Sequence, residues 1–201
     1  MSRHVDTVPA DYFANLYASN PDPWGFATSS YEHEKYDATL ASLPRETYGS
    51  ALEIGCSIGV LTQRLAQCCT RLLALDVAPS ALDTARARCA DLAHVRFEQA
   101  AIPSQWPEGR FDLIVLSEVL YFLSHDDIAA SVALMRAAFE PGGHLLLVHW
   151  LGETHYPLTG DEAAEAVVKL GDGWLDVVHQ ERAPLYRIDV LQARTDPSET
   201  R

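Results

Sequence analysis

Gly55 and Gly59 close the stretch Leu52-Glu53-Ile54-Gly55-Cys56-Ser57-Ile58-Gly59, and Asp76 stands at the end of the next apolar run, Arg71 to Val77. A strand, a glycine turn, a helix and a second strand ending in a carboxylate is an arrangement that holds an adenosine. Aligning Gly55 with the first glycine of G-x-G-x-x-G puts Ser57 and Val60 where the second and third glycines belong. The backbone could not then approach a pyrophosphate closely, so an NAD or FAD domain is disfavoured. On the plainer alternative the glycines only close a strand-helix turn and Asp76 caps the following helix.

A second group of residues lies in Ser117-Glu118-Val119-Leu120-Tyr121, at the end of another apolar run. If a helix begins there, Glu118 and Tyr121 are three apart on one face. A carboxylate and a phenol so placed can hold an amine, whereas on the alternative Glu118 favours the helix dipole and Tyr121 packs. His149 ends a later apolar run and is a candidate proton acceptor, and His155-Tyr156-Pro157 can line an entrance. No histidine pair has i, i+4 spacing with a carboxylate between, so no metal site is expected.

The elements that must position these residues alternate. Ala51 to Ile54, Arg71 to Asp76, His94 to Glu98, Phe111 to Ser117 and His144 to Trp150 read as strands. Helices are expected over Ala81 to Cys89 after Pro79-Ser80, over Ile128 to Phe139 with Pro141-Gly142-Gly143 as its stop, and over Asp161 to Leu170. This is an α/β parallel sheet, and its ligand belongs at the carboxyl ends of the strands. Trp174 to Glu181 and Leu185 to Ala193, around Ala183-Pro184, predict an antiparallel hairpin on the sheet edge. Seven aromatics, Tyr12, Phe13, Tyr17, Trp24, Phe26, Tyr31 and Tyr36, precede the first strand. They suit either a helical cap over the crevice or an amphipathic helix packed on the sheet.

At 201 residues the chain is expected to form a single domain, with a cap over 1–45, a core over 46–194 and a flexible tail over 195–201. Fifteen basic against 28 acidic residues give a formal charge of −13, which repels phosphate backbones and anionic membranes. Nucleic acid is therefore an unfavoured partner, and neutral or cationic small molecules remain open. With no long apolar run and no apolar leader, a cytoplasmic protein is expected. Cys56, Cys68, Cys69 and Cys89 have neither zinc nor disulfide spacing.

The E-x-G-x-x-x-G segment resembles motif I of the class I S-adenosylmethionine (SAM) methyltransferases. More of the chain resembles the nodulation protein S (NodS) family: Asp22-Pro23-Trp24, Tyr31-Glu32, Leu52 to Cys56, Phe111 to Val115 with Ser117 to Tyr121, and Ala138 to Leu145. The resemblance implies a Rossmann-like class I methyltransferase sheet of order 3-2-1-4-5-7-6 with helices on both faces. It implies a SAM-dependent N-methyltransferase acting on the free amine of a deacetylated chitooligosaccharide, with S-adenosylhomocysteine as product. Gly55, Cys56 and Gly59 would then underlie the amino-acid end of the cofactor, braced by Glu53. Asp76 would hold the ribose hydroxyls, with Val77 as an apolar wall for the adenine. The backbone of Ile102 would read the adenine, because Ala101 stands where many members carry Asp. Ser117 would be among the cofactor-binding residues, Trp24 would lie on the ligand, and Lys35 would reach the SAM carboxylate. Glu118, Tyr121 and His149 are the candidate catalytic residues.

Methyl transfer to nitrogen asks mainly for alignment, and an amine titrating near about 8 is partly neutral at cell pH. A sugar hydroxyl needs a committed base. O-methylation of a small metabolite, or cofactor binding without catalysis, are the alternatives.

Overall fold

In the computed structural model, residues 5–195 are described. Two helices, α1 (Ala10–Ser19) and α2 (Ser30–Ala41), precede a seven-stranded sheet. The first half of the sheet alternates as β1 (Ala51–Ile54), α3 (Val60–Leu65), β2 (Leu72–Asp76), α4 (Pro79–Arg88) and β3 (Val95–Gln99). The rest follows as β4 (Phe111–Ser117), α5 (His125–Ala138), β5 (Phe139–Trp150), α6 (Gly160–Leu170), β6 (Leu175–Arg182) and β7 (Tyr186–Ala193). The strand order is β3-β2-β1-β4-β5-β7-β6, with β7 antiparallel to both β5 and β6. This is the order that the resemblance implies, and it reverses between β1 and β4, where the carboxyl ends of neighbouring strands part and leave a crevice.

Alternation along the central strands builds one core on each face. Ile114 and Leu116 of β4, with Leu145 and Leu147 of β5, pack with Ile128, Val132 and Met135 of α5 and Ala163 and Val167 of α6. Leu113, Val115, Leu146 and Val148 join Tyr17 of α1, Tyr36 of α2, Leu61 and Leu65 of α3 and Ala81 of α4. The aromatics of the leader therefore divide: Tyr17 and Tyr36 are buried, while Tyr12 and Trp24 stay about two-fifths exposed. Helix starts carry their own signals. Ser29 accepts from Glu32 N–H, Ser124 from Asp127 N–H, and Thr159 with Glu162 forms a reciprocal capping box.

Pro141-Gly142-Gly143 does not act as the expected helix stop. Helix α5 ends earlier, at Ala138, and the chain is already extended at Phe139. Phe111 pairs with Phe139 and Leu113 with His144, so residues 140–143 bulge out of the ladder inside β5. Proline has no N–H to give to a ladder, which makes a bulge the place for it within a sheet. The expected tail, Thr195 apart, lies outside the described residues. Among these, no helix is long and apolar enough to cross a membrane, and no cluster of three His, Cys, Asp or Glu is placed to hold a metal.

Candidate active site at the carboxyl ends of the strands

The turn after β1 is held from β2. Asp76 accepts Ser57 N–H at Oδ2 and Ala78 N–H at Oδ1, both at 2.8 Å, and the side chain is buried. Burial pushes its carboxyl above the ordinary range, against the pull of these donors. Gly55 and Gly59 have φ of +79° and +78°, and Ser57 between them has φ +51°. A non-glycine residue in this left-handed region costs about 1–3 kcal/mol unless its surroundings hold it there. The Asp76 carboxylate and the Tyr17 hydroxyl, which meets Ser57 Oγ, do so. A Cβ on Gly55 would lie 2.2 Å from Val119 Cγ2, so the turn also needs glycine for its packing on the chain beyond β4. Gly59 is the left-handed N-cap of α3.

Glu53, Gly55, Cys56, Ser57, Ser117 and Glu118 line one cavity of about 20 Å³, roofed by Phe26 and Tyr36. That is room for about one water. Within it Glu53 is buried and its Oε2 has no hydrogen-bond partner. Burial pushes the Glu53 carboxyl up to about 7. A carboxyl whose pKa is raised by folding costs stability as pH climbs from its unfolded value to its folded one. Wild-type Tm is therefore expected to fall between about pH 4.5 and pH 7 relative to Glu53→Gln. Parallel melting curves for the two proteins across that range would contradict this.

Glu118 is not at the start of a helix. Its φ is +59°, and only a short 3-10 turn, Leu120–Phe122, follows. That turn curls the phenol back, so Tyr121 donates to Glu118 Oε2 at 2.9 Å instead of pointing beside it. Trp150 N–H donates to the same oxygen at 2.8 Å. Lys35 donates to Oε1 at 2.6 Å and to Glu32 Oε1 at 3.0 Å. The lysine expected at the cofactor carboxylate thus lies in an ion group with two glutamates. Burial disfavours its charge, yet Glu118 and Glu32 hold its pKa above the ordinary lysine value. His149 is fully buried at the end of β5 with its ring 5.8 Å from that of Tyr121, and neither ring nitrogen has a hydrogen-bond partner. Burial lowers its pKa to about 4, so it is a neutral imidazole.

Trp24, Val77, Ala101 and Ile102 lie outside that cavity's lining. Trp24 stacks on Phe26 at 5.4 Å, outside the cavity lining. Val77 is half-buried after β2, and Ala101 and Ile102 follow β3, where Ala101 N–H donates to Gln105 at 2.8 Å. Tyr156 stacks on Tyr121 at 5.7 Å, which brings the loop after β5 to the site, while Tyr12 of α1 meets the Tyr156 hydroxyl at 3.3 Å. Sequence reasoning missed the Tyr17–Ser57 contact, for which no local signal exists. It also missed Glu32 as a partner of Lys35, although their i, i+3 spacing on a helix was visible.

The family model of Nodulation protein S (NodS) matches residues 14–183. Nodulation protein S of Rhizobium tropici is 37% identical over 129 residues, covering 62% of this chain and 53% of that protein. Its counterpart in Sinorhizobium fredii is 35% identical over 129 residues, covering 62% and 59%. The chain therefore spans little more than half the length of these relatives. The crystal structure of N-methyltransferase NodS from Bradyrhizobium japonicum WM9 in complex with S-adenosyl-L-homocysteine is 25% identical and superposes with a TM-score of 0.78. That match covers 92% of this chain and 98% of that one.

Proposed function

This chain belongs to the nodulation protein S family, and from that premise we propose that it is a SAM-dependent N-methyltransferase whose acceptor is the amine of an amino sugar. The observation that carries the reading is the β1 turn clamped by Asp76, next to a carboxylate, Glu118, that three donors hold in place. The chain's own groups fit the cofactor: the partnerless Glu53 Oε2 is an acceptor for an ammonium, and Asp76 retains lone pairs for ribose hydroxyls. When bound, SAM supplies a methyl group on a sulfonium, ready for displacement by a nucleophile.

Ser57 and Gly55 keep the turn flat against the crevice, and Cys56 offers its backbone. Phe26 and Tyr36 roof the cavity, with Trp24 stacked on Phe26 and Tyr17 edge-on to Trp24. Glu118 orients the acceptor nitrogen, and the two donors on Oε2 prevent its carboxylate from turning. The chain supplies alignment and a dry site, which for a neutral amine accounts for most of the acceleration. His149 is too weakly basic near pH 7 to take the proton of a sugar hydroxyl efficiently, which favours nitrogen over oxygen.

Calorimetric titration with S-adenosylhomocysteine, with NADH in parallel, tests the cofactor. A glucosamine oligomer incubated with SAM tests the acceptor, read as a mass gain of one methyl. Binding of S-adenosylhomocysteine alone together with methylation of the amine is the expected result. Absence of S-adenosylhomocysteine binding would overturn the reading, and methylation at oxygen would overturn its acceptor half.

A further inference from the structure

Lys35 is 1% exposed, and its ammonium lies between Glu118 Oε1 and Glu32 Oε1, 5.3 Å from the centre of the Tyr31 ring. A buried carboxylate, Glu32, a part-buried one, Glu118, and an aromatic face are what a primary ammonium seeks when it leaves water. The group is unbalanced, with two carboxylates against one cation. It is also surrounded by unused polarity. Glu32 Oε2 is in ion-pair contact 2.9 Å from the same ammonium, while the Tyr31 hydroxyl and both nitrogens of His149 have no hydrogen-bond partner. Charge elsewhere nearby does not compensate: Arg187 is taken up by Asp189 and Asp161. Glu118 Oε2 is pinned by Tyr121 and Trp150, whereas Oε1 is held by Lys35 alone. A lysine reaches this place on a flexible four-carbon stem.

We propose that Glu118, Glu32 and the face of Tyr31 form a subsite for a primary ammonium group, filled from within by Lys35, which the acceptor's ammonium enters when Lys35 withdraws, passing one proton to a Glu32 oxygen to become the neutral amine that Glu118 orients. The inference rests on the methyltransferase reading for the identity of the acceptor, but not for the existence of the subsite. It makes Lys35 a competitor of the acceptor for Glu118, and so a residue that sets specificity for amines.

The subsite is tested on Lys35→Ala with n-propylammonium chloride as the probe and n-propanol as the neutral control. At a probe concentration about tenfold above its Kd, the Tm of this variant is expected to rise by about 3 °C. The wild type and the propanol samples should stay unchanged. No rise in a folded Lys35→Ala protein, or an equal rise in the wild type, overturns the subsite. Neither cofactor nor turnover enters this readout. A wild type that does not bind S-adenosylhomocysteine would sink the methyltransferase reading and leave the propylammonium result standing.

Competition is read on Lys35→Gln, which keeps a donor and serves also if Lys35→Ala does not fold. Its KM for a glucosamine oligomer is expected to fall on the order of tenfold, the scale of one hydrogen bond to a charged group. A KM that rises while kcat falls would mean that Lys35 only positions Glu118, and would overturn the exchange.

Discussion

Asp76→Ala is expected to weaken S-adenosylhomocysteine binding by about a hundredfold. The carboxylate is the acceptor for two backbone N–H groups at 2.8 Å, and one of them belongs to Ser57, whose φ is +51°. A buried donor left without a partner costs about 1–3 kcal/mol. Ser57 would then relax out of the left-handed region, and the turn would lose the shape that brings Gly55 and Cys56 to the cofactor. The ribose hydroxyls would lose their acceptor in the same step. Asp76→Asn, which keeps one carbonyl oxygen for one of the two amides, should fall between wild type and alanine. Titration calorimetry on the three proteins checks the order. Affinity within about threefold of wild type for the folded alanine variant would remove Asp76 from the site.

Glu118→Gln has the second large effect, and it should separate catalysis from cofactor binding. We expect kcat for amine methylation to fall about a hundredfold with S-adenosylhomocysteine affinity changed by less than about threefold. The glutamine oxygen would face the donors Tyr121 and Trp150 N–H, and its NH₂ would then point at the Lys35 ammonium, a donor against a donor. Lys35 would keep only Glu32, and the nitrogen to be methylated would lose the fixed oxygen that orients it. A misplacement of about 1 Å at this point is worth about two orders of magnitude in rate. Steady-state kinetics set beside cofactor titration decide the matter. If both quantities drop together, Glu118 belongs to the cofactor and not to the acceptor.

Much of the architecture was legible because its signals are local. The run Phe111 to Ser117 is apolar and bounded, and it forms β4 over those same residues. Pro79 opens α4 at a position where its missing N–H costs nothing, and the hairpin around Ala183-Pro184 pairs as its two β-rich runs suggested. Pro141-Gly142-Gly143 misled because the same residues stop a helix or make a bulge. Which they do depends on the partner strand, here Phe111 and Leu113 of β4.

The candidate site was legible only as a set of types at strand ends. Gly55, Gly59 and Asp76 declare a turn and a carboxylate at a separation that fits βαβ geometry, and this follows from chain order and stereochemistry. Lys35 and Glu118 stand 83 positions apart, and no periodicity links them. Nothing local sends Tyr17 to Ser57, or turns Tyr121 back onto Glu118. These contacts arise because both faces of the sheet bury apolar side chains, which fixes where α1, α2 and the segment after β4 must lie. The polar groups carried on those elements then pair with whatever stands opposite, since a buried charge or donor without a partner is costly. Residue order was enough to define the sheet and the chemistry available at its edge, and packing alone chose which charges meet there.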